Sequence, residues 1–465
     1  MDSKEKDSVQ ETRRIVMKRL TKFGLTLLII ALLNSTVACS TSKSKTSDSN
    51  TNSTMGTPPE KPDGNPPDGF GGGNPPDGTP PGMPGEESSS SSTTVVVEGA
   101  DSITYTYQTT RGVTKTYYAK YLVDGTTLDL SGQTIEVTQS NEIAVLVVNG
   151  GTVNLTNCTI IKSGDAAGAS RDDDYNFYGI NNAVVVLGST STANLSGCTV
   201  NTTGKYANAV FASDGGTINI TNGINISTTG SSARGLFASY GGTVKAEDGD
   251  VHISTKSIHC AALATDRGGG TVVVGTSAKA KPSTLNTVAE DSPCIYSTGT
   301  ITGWNITGTC TNGQALVVEG KNLVELNSCN LTGGRSNQGC IMLYQSSSGD
   351  AADEDASSSK SSLKITDCTF TTSNGADVIV VTHTSAAVTI DNCTFNTTGN
   401  ESFISCKEIQ WGTGAYLTLD APDEALTGTI YTGDTTSKAT VTCKTSSLKK
   451  ANGSKGTITV NGKKL

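Results

Sequence analysis

The side chains of this chain that could do chemistry recur at regular intervals. Ser239-Tyr240, Asp266-Arg267, Glu319 and Tyr344-Gln345 each follow a short apolar run, and Asp214, Tyr240 and Asp266 are spaced 26 residues apart. Aromatic rings stack on sugar faces, and flanking acidic and amide groups hydrogen-bond hydroxyls. The set therefore reads as one outward strip suited to a carbohydrate, although solvated strand ends with scattered tyrosines would look the same. Tyr175, Phe177 and Tyr178 form an aromatic cluster in a hydrophilic stretch, where such rings contact a partner or pack on a neighbouring segment. Beside them, Asp172, Asp173 and Asp174 are candidate ligands for Ca²⁺, as is the run Asp350, Asp353, Glu354 and Asp355. Neither run matches a defined calcium loop, and no other cofactor is implied.

Catalysis is the competing chemistry. Asp214 and Asp266, two repeats apart, would stand roughly 9 to 10 Å from each other along one face. That is near the upper separation for an inverting glycosidase, but repeat position alone would produce it. Arg267 beside Asp266 is the best base-and-cation-site pair for a lyase, and a surface ion pair explains it equally well. The three histidines are His252, His259 and His383. The reading favours binding without catalysis. A polysaccharide lyase or glycoside hydrolase acting on acidic, pectin-like polysaccharide stays as the alternative, and a structural stalk or protein adhesin as a third.

The elements that must position these groups come from a repeated phrase. It reads Val153-Asn-Leu-Thr-Asn-Cys158-Thr-Ile160, then Ala193-Asn-Leu-Ser-Gly-Cys198-Thr-Val200, and returns around Cys329, Cys368 and Cys393. Ile218-Asn-Ile-Thr-Asn-Gly223-Ile reads as the same phrase with Gly in the place of Cys. The intervals reduce to a period of about 25 once two hydrophilic insertions, around 165–176 and 346–362, are removed. A second phrase, as in Asn208-Ala-Val-Phe-Ala-Ser-Asp214, lies between copies of the first. Each repeat thus holds at least two short strands with alternating apolar residues, bounded by Gly, Asn, Asp or Ser. No segment beyond the N-terminus sustains a helical pattern.

Strands recurring in fixed register predict an all-β chain, a parallel β-helix of about ten coils over residues 126–435. Equivalent residues then stack about 4.8 Å apart on successive coils, and each coil buries its faces against its neighbours. A thin apolar spine also accounts for a composition only 34% hydrophobic and 5% aromatic. Cys158, Cys198, Cys329, Cys368 and Cys393 share one inward position. Their parallel Cβ vectors suit free thiols better than disulfides, with a few disulfides left open.

The N-terminus gives an address. Lys18, Arg19 and Lys22 precede an apolar run from Phe23 to Leu33, followed by Ser35-Thr-Val-Ala-Cys39. That order defines a signal peptide over residues 1–38, too short to span a bilayer. Residues 39–94 hold ten of the 13 prolines and form a disordered tether reaching on the order of 40 Å as a random coil. Residues 95–125 read as an N-terminal cap region and 436–465 as a C-terminal coil or cap. Without residues 1–38 the chain carries 27 basic against 39 acidic residues, which argues against nucleic acid and anionic membrane as partners.

Small residues before Cys39, the Pro-Pro-Asp-Gly linker and the strand repeats with Asn-Cys-Thr-Phe turns resemble, in that order, a known group. They look like the right-handed β-helix, adhesin-like, carbohydrate-binding-domain surface lipoproteins of gut anaerobes. Asn176-Phe-Tyr-Gly-Ile-Asn-Asn182 and Thr265-Asp-Arg-Gly-Gly-Gly-Thr271 share that likeness. The resemblance implies lipidation at Cys39 and anchoring on the outer face of a Gram-positive-type cell membrane. It also implies a polysaccharide, host-glycan or cell-wall-glycan ligand. It supplies no catalytic motif. A monomer is expected.

Overall fold

The computed structural model describes residues 102–168, 173–346, 360–399, 401–409 and 414–465. The signal peptide, Cys39, the tether, Asp172 and the acidic run from Asp350 to Asp355 lie outside them. The described chain winds through three short strands per repeat, each paired in parallel with the strands one winding before and after. It is an all-β parallel β-helix.

The first sheet begins at β3 (Thr127–Ser131) and the second at β4 (Thr134–Val137), while the third begins with the second half of β2 (Thr114–Asp124), paired in parallel with β5 (Glu142–Val148). Alternation places every second residue inside. On the first sheet this stacks Leu128, Val153, Ala193, Ile218, Val244, Val272 and Ile301 into a buried column, which continues through Val324, Leu363, Val388 and Leu419. The outward residues between them are mostly Thr, Asn and Ser. Each repeat therefore contains three strands, because the Cys-x-apolar tail of the first phrase is itself the start of the second sheet.

The turn between the first and second sheets explains the residue before each cysteine. Asn157, Ser328, Asp367 and Asn392 have φ of 53°, 53°, 53° and 50°. Left-handed backbone is tolerated best by Gly, Asn and Asp. Gly223 is not the missing cysteine. An extra residue bulges this turn, so Ile224 pairs with Cys198 and Gly223 drops out of the column. The inward column runs Cys158, Cys198, Ile224, Val251, Ser283, Ile306, Cys329, Cys368 and Cys393. Its thiols are free, as are all the described cysteines. The Cys329 and Cys368 amides donate to the next sulfur along, at 3.5 and 3.4 Å.

The third sheet departs from simple alternation. Its strands Val184–Leu187 and Val210–Ser213 are buried on both faces. Their outward row, Leu146, Val185, Phe211 and Phe237, lies under an antiparallel hairpin of β1 (Ile103–Gln108) and β2 (Thr114–Asp124), together with the first insertion. Tyr107, Tyr117, Tyr175, Ile180 and Tyr206 fill this second apolar layer.

Candidate functional site

Three residues expected in the outward strip, Tyr240, Asp266 and Arg267, meet the loop aromatics where the hairpin and the first insertion meet the third sheet. A short helix, α1 (Asp173–Asn176), starts the contact. Tyr178 packs on Tyr240 with ring centroids 5.5 Å apart, and the Arg111 guanidinium lies 3.2 Å from the Tyr240 ring centre. Arg267 sits 4.2 Å over Phe177 and pairs with Asp173 at 3.2 Å. Asp266 is buried and pairs with Arg234 at 3.2 Å, while Arg234 also donates to Asn176. Tyr175 is buried and stacks on Tyr206 at 5.2 Å. The loop aromatics thus pack over neighbouring windings.

Glu319, Tyr344 and Gln345 stand apart from that cluster. Glu319 is buried and accepts hydrogen bonds from the hydroxyls of Tyr296 and Tyr344, the latter at 2.5 Å. Burial first, then the Glu319 charge, holds both phenols well above their ordinary pKa. Gln345 is buried, and its main-chain carbonyl accepts from His383 Nδ1 at 3.1 Å. The single outward strip is therefore corrected. Asp266 and Tyr175 lie beneath the hairpin and first insertion, and Glu319 and Gln345 are buried as well, so these four do not form a solvated row.

The acidic groups weighed for metal or catalysis already have partners. Asp173 pairs with Arg267, and Asp174 pairs with Lys115, whose ammonium also lies 4.8 Å from the Tyr178 ring. Among the described residues no three His, Cys, Asp or Glu side chains are grouped to hold a metal. Asp214 is buried and fastens the hairpin: Tyr107 Oη and the Thr110 amide each donate to it at 2.9 Å, and Thr110 Oγ1 donates at 2.5 Å.

An open polar surface lies elsewhere, on the outer face of the second sheet. Thr199, Asn225, His252 and Thr284 form one in-register outward row, with Asn201, Ser227, Ser254 and Asn286 beside it. These eight residues, with Ile226 and Ile253, line a shallow depression of about 240 Å³. His252 lies in the first of these rows, between Asn225 and Thr284. Its Nδ1 lies 2.9 Å from Thr284 Oγ1 and its Nε2 lies 3.2 Å from Asp250, which pairs with Lys281 at 3.1 Å. The hydrogen bond from Lys281 holds the Asp250 carboxyl below its ordinary pKa. No motif pointed to this face. Its signal was present in Cys198-Thr-Val-Asn201, Ile224-Asn-Ile-Ser227 and Val251-His-Ile-Ser254, where polar residues alternate just after the turn.

Fold and surface together define the chain as a parallel β-solenoid with a polar sheet face. No protein-family model, curated protein or solved structure matches it.

Proposed function

We propose that this chain is a cell-surface lipoprotein whose β-helix holds a glycan, without cleaving it, on the polar face of the second sheet. The depression around His252 carries the reading. Its lining offers hydroxyls and amides in two rows at strand spacing, able to meet successive sugar hydroxyls along one extended chain. Those ten residues include one imidazole and no carboxylate, and the carboxylate that reaches His252, Asp250, is paired with Lys281, which favours retention of a polysaccharide over its hydrolysis. The Ser35-Thr-Val-Ala-Cys39 sequence and the proline-rich stretch after it support lipid anchoring on the outer membrane face and a tether between anchor and solenoid.

A glycan array probed with the purified chain, with and without calcium, tests this. The native chain is expected to give specific hits, and the double variant Asn225→Ala/His252→Ala to lose about tenfold of that signal. A signal that needs calcium would show that a cation takes part in binding. No hit from the native chain, or equal binding by the variant, contradicts the reading.

A further inference from the structure

The last windings carry a charge opposite to the rest of the solenoid. From Lys438 to Leu465 the chain has seven lysines and no aspartate or glutamate. Residues 101–437 hold seventeen Lys and Arg against thirty-one Asp and Glu, a formal −14. Lys438, Lys444, Lys449, Lys450, Lys455, Lys463 and Lys464 are all exposed. No ion pair among the described residues includes any of them. Lys438 stands 5.9 Å from the Tyr416 ring centre. On the preceding winding Asp434 accepts from Thr436 and Ser437, Glu424 accepts from the Cys393 amide, and Asp420 lies in register with Thr442.

We propose that this end of the solenoid binds a linear polysaccharide whose sugars carry carboxylates. The site shares no residue with the depression around His252 and does not rest on that reading. Charge complementarity is the first argument: an acidic body repels a polyanion along its length and confines it to the basic end. The second is composition. Exposed Thr440, Thr442, Thr445, Ser446 and Ser447 alternate with the lysines and supply hydroxyl partners for sugar hydroxyls. Ammonium groups on flexible stems tolerate irregular carboxylate spacing.

Other occupants fit less well. Single-stranded nucleic acid needs aromatic platforms and arginine, and residues 438–465 contain no Phe, Tyr, Trp or Arg. A membrane would find Leu465 as the one exposed large apolar side chain at this end. Strand addition by a second copy is blocked at Thr457–Val460, whose outer edge is taken by the antiparallel Lys463–Lys464, with the Leu465 amide donating to Ile458 at 3.0 Å. Edge lysines do guard against such addition, and the experiment separates that role from binding.

Polygalacturonate is titrated into the full chain at low salt, beside its neutral methyl ester, duplex DNA and phosphatidylglycerol vesicles. The native chain is expected to prefer polygalacturonate, with affinity falling as salt rises. Lys444→Gln/Lys449→Gln/Lys450→Gln/Lys464→Gln should bind about tenfold or more weakly and flatten the log–log salt slope by about one per lysine removed. The matching Lys→Arg variant should retain binding. An unchanged thermal melt confirms that the glutamine variant is folded. Failure of the native chain to bind polygalacturonate overturns the proposal. So does equal binding of DNA or vesicles, or a glutamine variant that self-associates with its affinity unchanged.

Discussion

Asp214 shows how one side chain determines what covers the third sheet. Its carboxylate receives two hydroxyls and one amide from the β1–β2 hairpin, in a position closed to water. Asp214→Asn keeps the left-handed backbone, φ 52°, but weakens charge-assisted bonds. It is expected to cost about 2 kcal/mol and to raise hydrogen exchange at the Thr110 amide. Protection of that amide equal to the native chain would contradict the clamp. Lys162 is the opposite case, a fully buried ammonium held by the carbonyls of Gln139 and Gly164 at 2.9 and 2.7 Å. Burial pushes its pKa down to about 8. The unfolded chain then binds the proton more tightly, so stability rises as pH climbs from about 8 towards the ordinary lysine value. Melting curves across that window should rise for the native chain and lose the Lys162 component in Lys162→Met. Cys340 and Cys406, pushed up to about 12 by burial, should resist iodoacetamide at pH 8 until urea exposes them.

Between residues and the whole, the turn from first to second sheet sets the register. Asn157→Val forces a β-branched residue into left-handed backbone and is expected to destabilise by about 1 to 2 kcal/mol, with Asn157→Gly near neutral. Urea titrations of the two variants check this. The same turns show what the sequence made legible. The cysteine column and the apolar spine follow from a one-dimensional pattern, alternation repeated at a fixed period, so they could be read without coordinates. The bulge at Gly223 was hidden because one extra residue in a turn leaves both flanking patterns intact. The cover over the third sheet was hidden for another reason. It depends on contacts such as Ser239 Oγ donating to the Phe177 carbonyl at 3.0 Å, across 62 residues, which no local pattern encodes. Asp266 and Glu319 occupy a repeat position that looked solvent-facing, yet both are buried. The polar rows of the second sheet were legible in principle, once the Cys-x-apolar tail is treated as a strand.

At the scale of the molecule, one stack serves several surfaces. The first sheet carries a ladder in which Asn154, Asn194 and Asn219 each donate an amide proton to the residue before it, starting at Asp129. Such ladders hold windings in register and leave little free polar capacity there. The third sheet is overlaid near its N-terminal windings, and the last windings are basic. The second sheet keeps an open polar depression, and the central claim is that a glycan lies in it. Hydrogen–deuterium exchange, run with and without the strongest-binding array glycan, tests this most directly. The account predicts ligand protection at residues 199–201, 225–227, 252–254 and 284–286, with the hairpin and Tyr178–Tyr240 contact unchanged. Protection confined to that hairpin contact, or none on the second sheet at saturating glycan, would contradict it.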